Sequence, residues 1–352
     1  HQCGAEPTEK GEVKLSLDNF QFIKMLGKGS YGTMVLAKRK LPAEHEQLCA
    51  VKALKKKRVT RFASICATIA EKEALILASG HPFITSLYSC FQNKDHLFFV
   101  MEYVSGGDLQ GLLHEVDGGF SEKRTQFYAA EITLAVQFLH RHGILHRDLK
   151  LENVLVGSDG HCRVADLGLT KLGVFGRDKT SSCVGTPIYM APEIMQDLPY
   201  GHAVDWWALG IMIYEMLVGR PPFDDDAEHA ADASQTLEYK IVNSEVDFPG
   251  LSLAAVSVVR KLLKKDPAKR LGTHGSADKI RQHRFFKGID WQALLEKRVD
   301  PPEKPEVAEV TSVPEDDCKE FTDLLKPDDT RCVINQAFFE GFSYVNYRAE
   351  HL

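Results

Sequence analysis

The sequence predicts an α+β chain in two parts, a small first part made mainly of strands and a larger second part made mainly of helices. Three observations carry this. Before about residue 104, apolar and polar residues alternate in short runs, whereas later apolar residues recur at helical spacing. The Gly106-Gly107 pair interrupts the pattern between the two regimes. The chain has 352 residues, 44% of them apolar and 26% charged, which suits a globular protein able to bury a sizeable core without disulfides or metals.

Each element follows in order. Residues 1–16 are polar and aperiodic, and read as an arm. Asn19 to Ala37 alternates around a glycine cluster, the pattern of a hairpin. Leu48 to Leu54 reads as a short strand, Ile65 to Ala78 as a helix, and Leu97 to Val104 as an apolar strand. Phe127 to Leu139 is a long amphipathic helix, although Ser121 and Arg124 fall short of a full capping box. Val154 to Val156 and Cys162 to Ala165 flank Ser158-Asp159-Gly160 as a small hairpin. Asp205 to Leu217 and Leu253 to Leu263 are helical, and residues 300–332, rich in Pro, Asp and Glu, read as an extended tail.

Several function classes are disfavoured. The uncharged run Trp206 to Tyr214 has nine residues, and a membrane span needs about 20. No basic-then-apolar leader opens the sequence, so no secretory signal is expected. The eight cysteines include no C-x-x-C pair, which suits reduced thiols in the cytoplasm. A net charge of −6 argues against a broad nucleic-acid surface. Residues 11–104 hold 14 Lys/Arg and 8 Asp/Glu, a net of +6, so the remainder carries −12. That asymmetry suits an anionic cofactor and a cationic substrate, with ordinary charge scatter as the alternative.

Gly27-Lys28-Gly29-Ser30-Tyr31-Gly32 is a G-x-G-x-x-G run. A dinucleotide site would need a helix after the third glycine; here Thr33 to Ala37 is strand-like, which favours a flap whose backbone N–H groups approach phosphate oxygens. Lys52 ends the apolar strand Ala50-Val51-Lys52, where an ammonium needs a partner or a phosphate unless it snorkels to solvent. Glu71, 19 residues on, is its candidate partner, with Glu73 the rival on another helical face. His146-Arg147-Asp148-Leu149-Lys150-Leu151-Glu152-Asn153 then precedes Asp166-Leu167-Gly168. Asp148, Asn153 and Asp166 make an oxygen-rich set suited to Mg²⁺ held with substrate phosphates.

These segments, with Ala191-Pro192-Glu193, resemble the signature set of protein kinases from about residue 20 to 345. Phe339-Glu340-Gly341-Phe342-Ser343-Tyr344 resembles the hydrophobic motif that ends AGC-group kinases. Asp205-Trp206-Trp207, Arg270-Leu271-Gly272 and His283-Arg284-Phe285-Phe286 are similar to that group too. The runs at 95–109, 127–132, 137–140 and 295–298 look most like the novel, diacylglycerol-responsive kind of protein kinase C. Residues 341–346 and the final Glu350-His351-Leu352 look like its delta-like branch. Residues 1–19 contain no Cys/His-rich zinc module and no C2-like segment of the regulatory kind.

The resemblance implies a bilobal protein-kinase fold: an arm over 1–19, a mainly β N-lobe over 20–104, a mainly α C-lobe over 105–286 and an AGC-type tail over 287–352. It implies an ATP- and Mg²⁺-dependent serine/threonine kinase, with a nucleotide-binding pseudokinase scaffold or a small-molecule phosphotransferase as alternatives. Lys52, held by Glu71, would pair the α- and β-phosphates; Asp148 would accept the substrate hydroxyl proton; Lys150 would steady the transferred group; Asn153 and Asp166 would hold the metal. Leu26, Gly27, Lys28, Gly29, Ser30, Tyr31, Gly32, Met34 and Ala50 would enclose the nucleotide. Met101, Glu102 and Val104 would face adenine, with Asp108 at the ribose or at an incoming Arg. Asp108, Glu152 and Glu215 would receive substrate arginines, the alternative for each being a solvated carboxylate. Ser182 would be the acceptor for an upstream kinase, its phosphate gripped by Arg147 and Lys171, with Ser343 and Thr330 as further acceptors. Membrane contact would come only through regulatory domains outside this sequence. The basic run Lys55-Lys56-Lys57-Arg58 reads as a solvated turn or a lipid contact, and His146 as a core residue. The departures from the family pattern are Leu167 for Phe, Met34 for Val, Ile188 for an acid, Glu303 for Phe, and Pro314-Glu315-Asp316-Asp317-Cys318 where an Asn-Phe-Asp tether is expected.

Overall fold

The computed structural model describes residues 15–28, 32–40, 46–223, 236–273, 277–307, 325 and 335–346. The chain forms two compact units that interleave in sequence. The first draws on residues 1–60, 88–101 and 311–346, the second on 61–87, 102–310 and 347–352. The helix expected at Ile65 to Ala78 groups with the second unit, and the tail turn after 335 with the first.

The first unit is a sheet in the order β1-β2-β3-β5-β4-β8. Its strands are β1 (Phe20–Lys28), β2 (Gly32–Lys40), β3 (Glu46–Lys55), β4 (Leu87–Gln92), β5 (His96–Glu102) and β8 (Tyr344–Val345). Side chains alternate across a strand, so register decides which residues meet. Ala37 faces Cys49, Val35 faces Val51 and Thr33 faces Ala53. Val35, Ala37, Cys49, Val51 and Ala53 belong to one buried cluster with Phe20, Phe91, Phe98 and Val100, in which Phe91 stacks on Phe98 at 4.6 Å. The sequence pattern hides β4 because Ser89, a polar residue, occupies a fully buried position in it.

The tail completes this sheet. Tyr344 and Val345 pair antiparallel with Cys90 and Ser89, and Asn346 N–H donates to the Tyr88 carbonyl. Phe342 packs edge-on against Phe99 at 5.3 Å. The basic run is neither a solvated turn nor a lipid patch as a whole. Lys56 is 1% exposed, and its ammonium donates to Gln92 Oε1 at 2.8 Å and to Gln336 Oε1 at 2.5 Å while lying over the Phe339 ring. Gln92 in turn donates to the Phe339 carbonyl, so the tail turn Gln336–Phe339 is clamped by side chains of its own unit.

The second unit is helical. It contains α1 (Phe62–Ala78), α2 (Leu109–His114), α3 (Glu122–Arg141), α4 (Pro192–Met195), α5 (Ala203–Val218), α6 (Leu237–Asn243), α7 (Leu253–Leu262), α8 (Ala277–Arg281) and α9 (Trp291–Leu295). The hairpin of β6 (Val154–Val156) and β7 (Cys162–Val164) lies beside α3. Helix α5 is buried from Val204 to Leu217, which fits a helix apolar all round its circumference. Ser121 does cap α3, accepting the Arg124 N–H at 3.2 Å. Glu303, where an aromatic was expected, pairs with Arg124 at 2.5 Å. No described helix is long and apolar enough to cross a membrane.

The Arg270 guanidinium forks onto both oxygens of Glu193 at 2.6 and 2.8 Å, and both side chains are buried. Removing one partner of such a pair strands a charge in the interior. Arg270→Ala is expected to lower the free energy of unfolding by about 3–5 kcal/mol, read from urea titration; a loss under 1 kcal/mol, on the order of a surface pair, would contradict this account.

Candidate active site

The face of the sheet opposite its core gathers the first set of site residues. Period two places Ala50 and Lys52 on the other side of β3 from Cys49, Val51 and Ala53, and Met34 sits directly across from Lys52. Leu26, Gly27 and Lys28 end β1, and Gly27 pairs with Met34. Gly32 opens β2; a Cβ there would lie 2.5 Å from the Ala53 carbonyl oxygen, so only glycine allows this approach. Gly29, Ser30 and Tyr31 lie outside the described residues, as do Thr330 and the tether segment 314–318. Met101 is near the end of β5 and 9% exposed. Lys52 belongs to the first unit and Glu71 to the second. On α1, Glu71 is buried at 4% exposure while Glu73 is exposed.

The remaining site residues lie in the second unit, around a buried anchor. Asp205 of α5 accepts the backbone N–H of His146 at 3.0 Å and that of Arg147 at 2.9 Å, and His140 contacts the same carboxylate at 2.7 Å. Burial alone would raise the Asp205 pKa, but the donors around it outweigh burial and hold it below the usual range. The anchored loop turns sharply enough that Arg147 has φ +73°, an unusual value for a side-chain-bearing residue. His146 is fully buried, packs as the core residue expected, and accepts the Asp148 N–H at Nδ1.

That loop brings four side chains together. Asp148 Oδ1 accepts the Thr186 hydroxyl at 2.7 Å, and Lys150 Nζ donates to the same hydroxyl oxygen at 3.0 Å. Lys150 also stands 3.5 Å from Asp148 Oδ2. Asn153 Nδ2 donates to the Asp148 carbonyl oxygen and carboxylate at 2.9 and 3.2 Å. With its amide nitrogen so engaged, Asn153 keeps its Oδ1 as an acceptor or metal ligand. Asp166 follows β7, is exposed at φ +54°, and precedes Leu167, which is 1% exposed. Among the described residues no group of three or more His, Cys, Asp or Glu is arranged to hold a metal ion. The Asn153 amide oxygen and the Asp166 carboxylate are donors of the kind a hard cation takes together with substrate phosphates and water.

Around this cluster lies the segment that follows Asp166. Arg147 Nη1 donates to the Ser182 hydroxyl at 2.6 Å, and its Nε and Nη2 donate to the carbonyls of Leu169 and Thr170. The Tyr200 hydroxyl donates to the Ser182 carbonyl at 2.6 Å. Lys171 is exposed and holds Leu145 through its main chain, while Arg147 and Tyr200 contact Ser182. Gly185 has φ +123°, and a Cβ there would meet the Arg147 carbonyl at 2.6 Å.

Of the three acids expected to meet substrate, Asp108 caps α2 by accepting the Gly111 N–H at 2.8 Å, and Glu152 is exposed. Glu215 is different: it is 5% exposed and accepts the Tyr189 hydroxyl at 2.5 Å. Burial, reinforced by the nearby Glu152 charge and opposed by Tyr189 and Gln110, pushes its pKa up to about 7. The roles of Tyr189, Tyr200 and Asp205 escape sequence reading because each acts on residues 18 to 59 positions away.

Val104 is 9% exposed, and Glu102 N–H donates to the Ser86 carbonyl. The segment after Glu102 rests on the β6–β7 hairpin through main-chain bonds at Gly106 and Gly107.

Comparison with known proteins agrees with this geometry. The model of the protein kinase domain matches residues 20–286. Protein kinase C epsilon type of Oryctolagus cuniculus is 45% identical over 350 residues, covering 96% of this chain and 46% of the relative. Protein kinase C of Drosophila melanogaster is 44% identical over 340 residues (95% and 44%). Protein kinase C delta type of Rattus norvegicus is 42% identical over 346 residues (97% and 50%). These identities are too close to separate the branches, and the chain spans about half the length of the curated relatives it matches. Matched over 267 of its 352 residues, the chain belongs to the protein kinase domain family, and its likeness within that family is to the protein kinase C enzymes.

Proposed function

We propose that the chain transfers the γ-phosphate of ATP to Ser or Thr in basic protein sequences, in the manner of protein kinase C. The observation that carries this is the convergence of Asp148, Lys150, Asn153 and Thr186. Asp148 already accepts one aliphatic hydroxyl, and a substrate hydroxyl needs the same acceptor for its proton. Lys150 places a cation beside that acceptor, where negative charge develops on the transferred group. Leu26, Gly27, Lys28, Gly29, Ser30, Tyr31 and Gly32 cover the phosphates, with Met34 and Ala50 against the base. Lys52, oriented by Glu71, pairs the α- and β-phosphates. Met101, Glu102 and Val104 bind adenine, and Asp108 the ribose or a substrate arginine. Asn153 and Asp166 hold Mg²⁺, which neutralises phosphate charge when it is bound with the nucleotide.

Phosphate on Ser182 meets the Arg147 guanidinium already on its hydroxyl, which orders the segment leading to Thr186. Ser343, exposed beside the buried Phe342, and Thr330 are further acceptors. The protein acts in the cytoplasm, without nucleic acid, and reaches a membrane only through domains outside this sequence.

Two outcomes test the proposal. Purified chain carrying phosphate on Ser182, verified by intact mass, is expected to phosphorylate an Arg-rich Ser peptide with Mg·ATP. Asp148→Asn is expected to cut kcat by at least about 10²-fold, the scale of a lost general base. ATP binding without transfer by the phosphorylated parent would turn the reading to a scaffold.

The second concerns pH. Below about 7 Glu215 is protonated and cannot pair with arginine; above 7 it ionises and can. KM for the Arg peptide should therefore fall about tenfold between pH 6 and 8, the scale of a charge-assisted bond of about 1.4 kcal/mol. Glu215→Gln should keep KM high at both pH values, and a parent KM flat across this range would remove Glu215 from substrate recognition.

A further inference from the structure

The β6–β7 hairpin touches both ends of the proposed nucleotide site. Asn153 immediately precedes β6 and Asp166 follows β7 by two residues, and the Ala165 N–H donates to the Asn153 carbonyl at 2.8 Å, tying the two metal-side residues at the open end of the hairpin. The same hairpin carries the chain that leaves β5. Gly106 N–H donates to the Val156 carbonyl, Val156 N–H donates to the Gly107 carbonyl, both at 2.8 Å, and Asp108 bridges Leu155. Residues 106–108 thus lie along β6, joined to it by two main-chain hydrogen bonds and an isolated bridge.

One side chain extends this frame to the adenine end. Arg163, opposite Leu155 on β7, reaches Glu102 with Nε 2.5 Å from Oε1. The second oxygen of Glu102 accepts the Ser86 N–H at 3.3 Å, and the Glu102 N–H returns to the Ser86 carbonyl at 2.9 Å. Glu102 is therefore fixed by main chain on one side and by Arg163 on the other. Arg163 is itself braced: Nη2 lies 3.4 Å from Asp159 Oδ2, and Lys297 Nζ lies 3.0 Å from that oxygen. The Arg163 side chain is 13% exposed, so the Glu102 pair is shielded from bulk water and screened less than a surface pair. Asp159 is drawn down to about 2 because Arg163 and Lys297 outweigh the effect of its partial burial.

We infer that Arg163 is a positioning residue for nucleotide binding: through Glu102 it holds the adenine-facing backbone in register with the hairpin that carries Asn153 and Asp166. The inference rests on the reading of Glu102 to Val104 as the adenine-binding segment. A salt bridge that only stabilised the fold would, on loss, lower the melting temperature without preference for one ligand. A positioning residue affects the ligand held by the segment it positions and spares the peptide site.

The test uses the full chain and adenosine, which has no phosphate and so reports on the adenine end alone. Arg163→Met is expected to weaken adenosine binding in calorimetry about fivefold to tenfold, the worth of a partly buried ion pair. KM for ATP should rise by the same factor, while KM for the Arg-rich peptide and kcat move less than twofold. Arg163→Lys, which keeps the charge, should recover most of the loss. In a Glu102→Gln background, Arg163→Met should add little. If Arg163→Met proves too unstable to assay, Asp159→Asn removes the brace without touching the segment and should weaken adenosine about twofold, a fraction of the same pair. Adenosine affinity unchanged in Arg163→Met, or a loss shared equally by peptide KM and kcat, overturns the inference alone. A parent chain that neither binds adenosine nor transfers phosphate overturns the nucleotide-site reading and this inference with it.

Discussion

The loop from His146 to Asn153 depends on one buried carboxylate. Asp205 accepts two successive backbone N–H groups, those of His146 and Arg147, and those bonds hold a turn in which Arg147 takes a positive φ. A backbone in that region costs about 1–3 kcal/mol and persists only where its surroundings fix it. From the fixed turn Arg147 sends its guanidinium to Leu169, Thr170 and Ser182, and Asp148 sends its carboxylate to Thr186 and Asn153. The contacts of Arg147 with the segment around Ser182 and the placement of the Asp148 carboxylate therefore start from a single anchor on α5. The anchor is in turn held by the packing of a helix buried on every side.

The first unit solves a different problem with equal economy. A strand has two faces, and β3 puts its buried cluster on one and Lys52 on the other. Cys49, Val51 and Ala53 build the buried cluster, while Ala50 and Lys52 face away from it. A one-residue slip in the pairing of β2 with β3 would send Lys52 into the core and bury an ammonium among apolar groups, which is prohibitively unfavourable without a partner. The same force that folds the sheet, burial of Val35, Ala37, Val51 and Phe98, therefore selects the register that presents Lys52.

This explains what was legible in the sequence. The period-two pattern around Ala50-Val51-Lys52 and the helical spacing of α1, α3, α5 and α7 are local, so they can be read from neighbours in the chain. The cluster of Asp148, Lys150 and Asn153 is local too, since five residues span it. What could not be read depends on contacts between distant segments. Lys56 looked like one of four solvated bases until Gln336, 280 residues away, supplied its acceptor. Glu215 reads in the sequence as a receiver of substrate arginine or a solvated carboxylate, and its burial under Tyr189, 26 positions away, cannot be seen there. Strand β4 carries a buried Ser89, and nothing in a short sequence window distinguishes such a serine from an exposed one. The strand through Leu97 ends at Glu102, not Val104.

The charge asymmetry of the chain also takes on a different meaning. A net of −12 outside residues 11–104 suggested a broad acidic field, yet several of those acids are internal. Glu193 is neutralised by Arg270, Glu131 is bound by His161 and the Cys162 N–H, and Asp205 is spent on the loop from His146 to Asn153. A carboxylate committed to such partners contributes little potential to the surface. Of the three acids expected to meet substrate, Glu152 is exposed, Asp108 is half-buried, and Glu215 is recessed with a charge that depends on pH near 7. Glu215 is held by the hydroxyl of Tyr189 and Asp108 by its cap on α2, so the position of each acid is set by its partners.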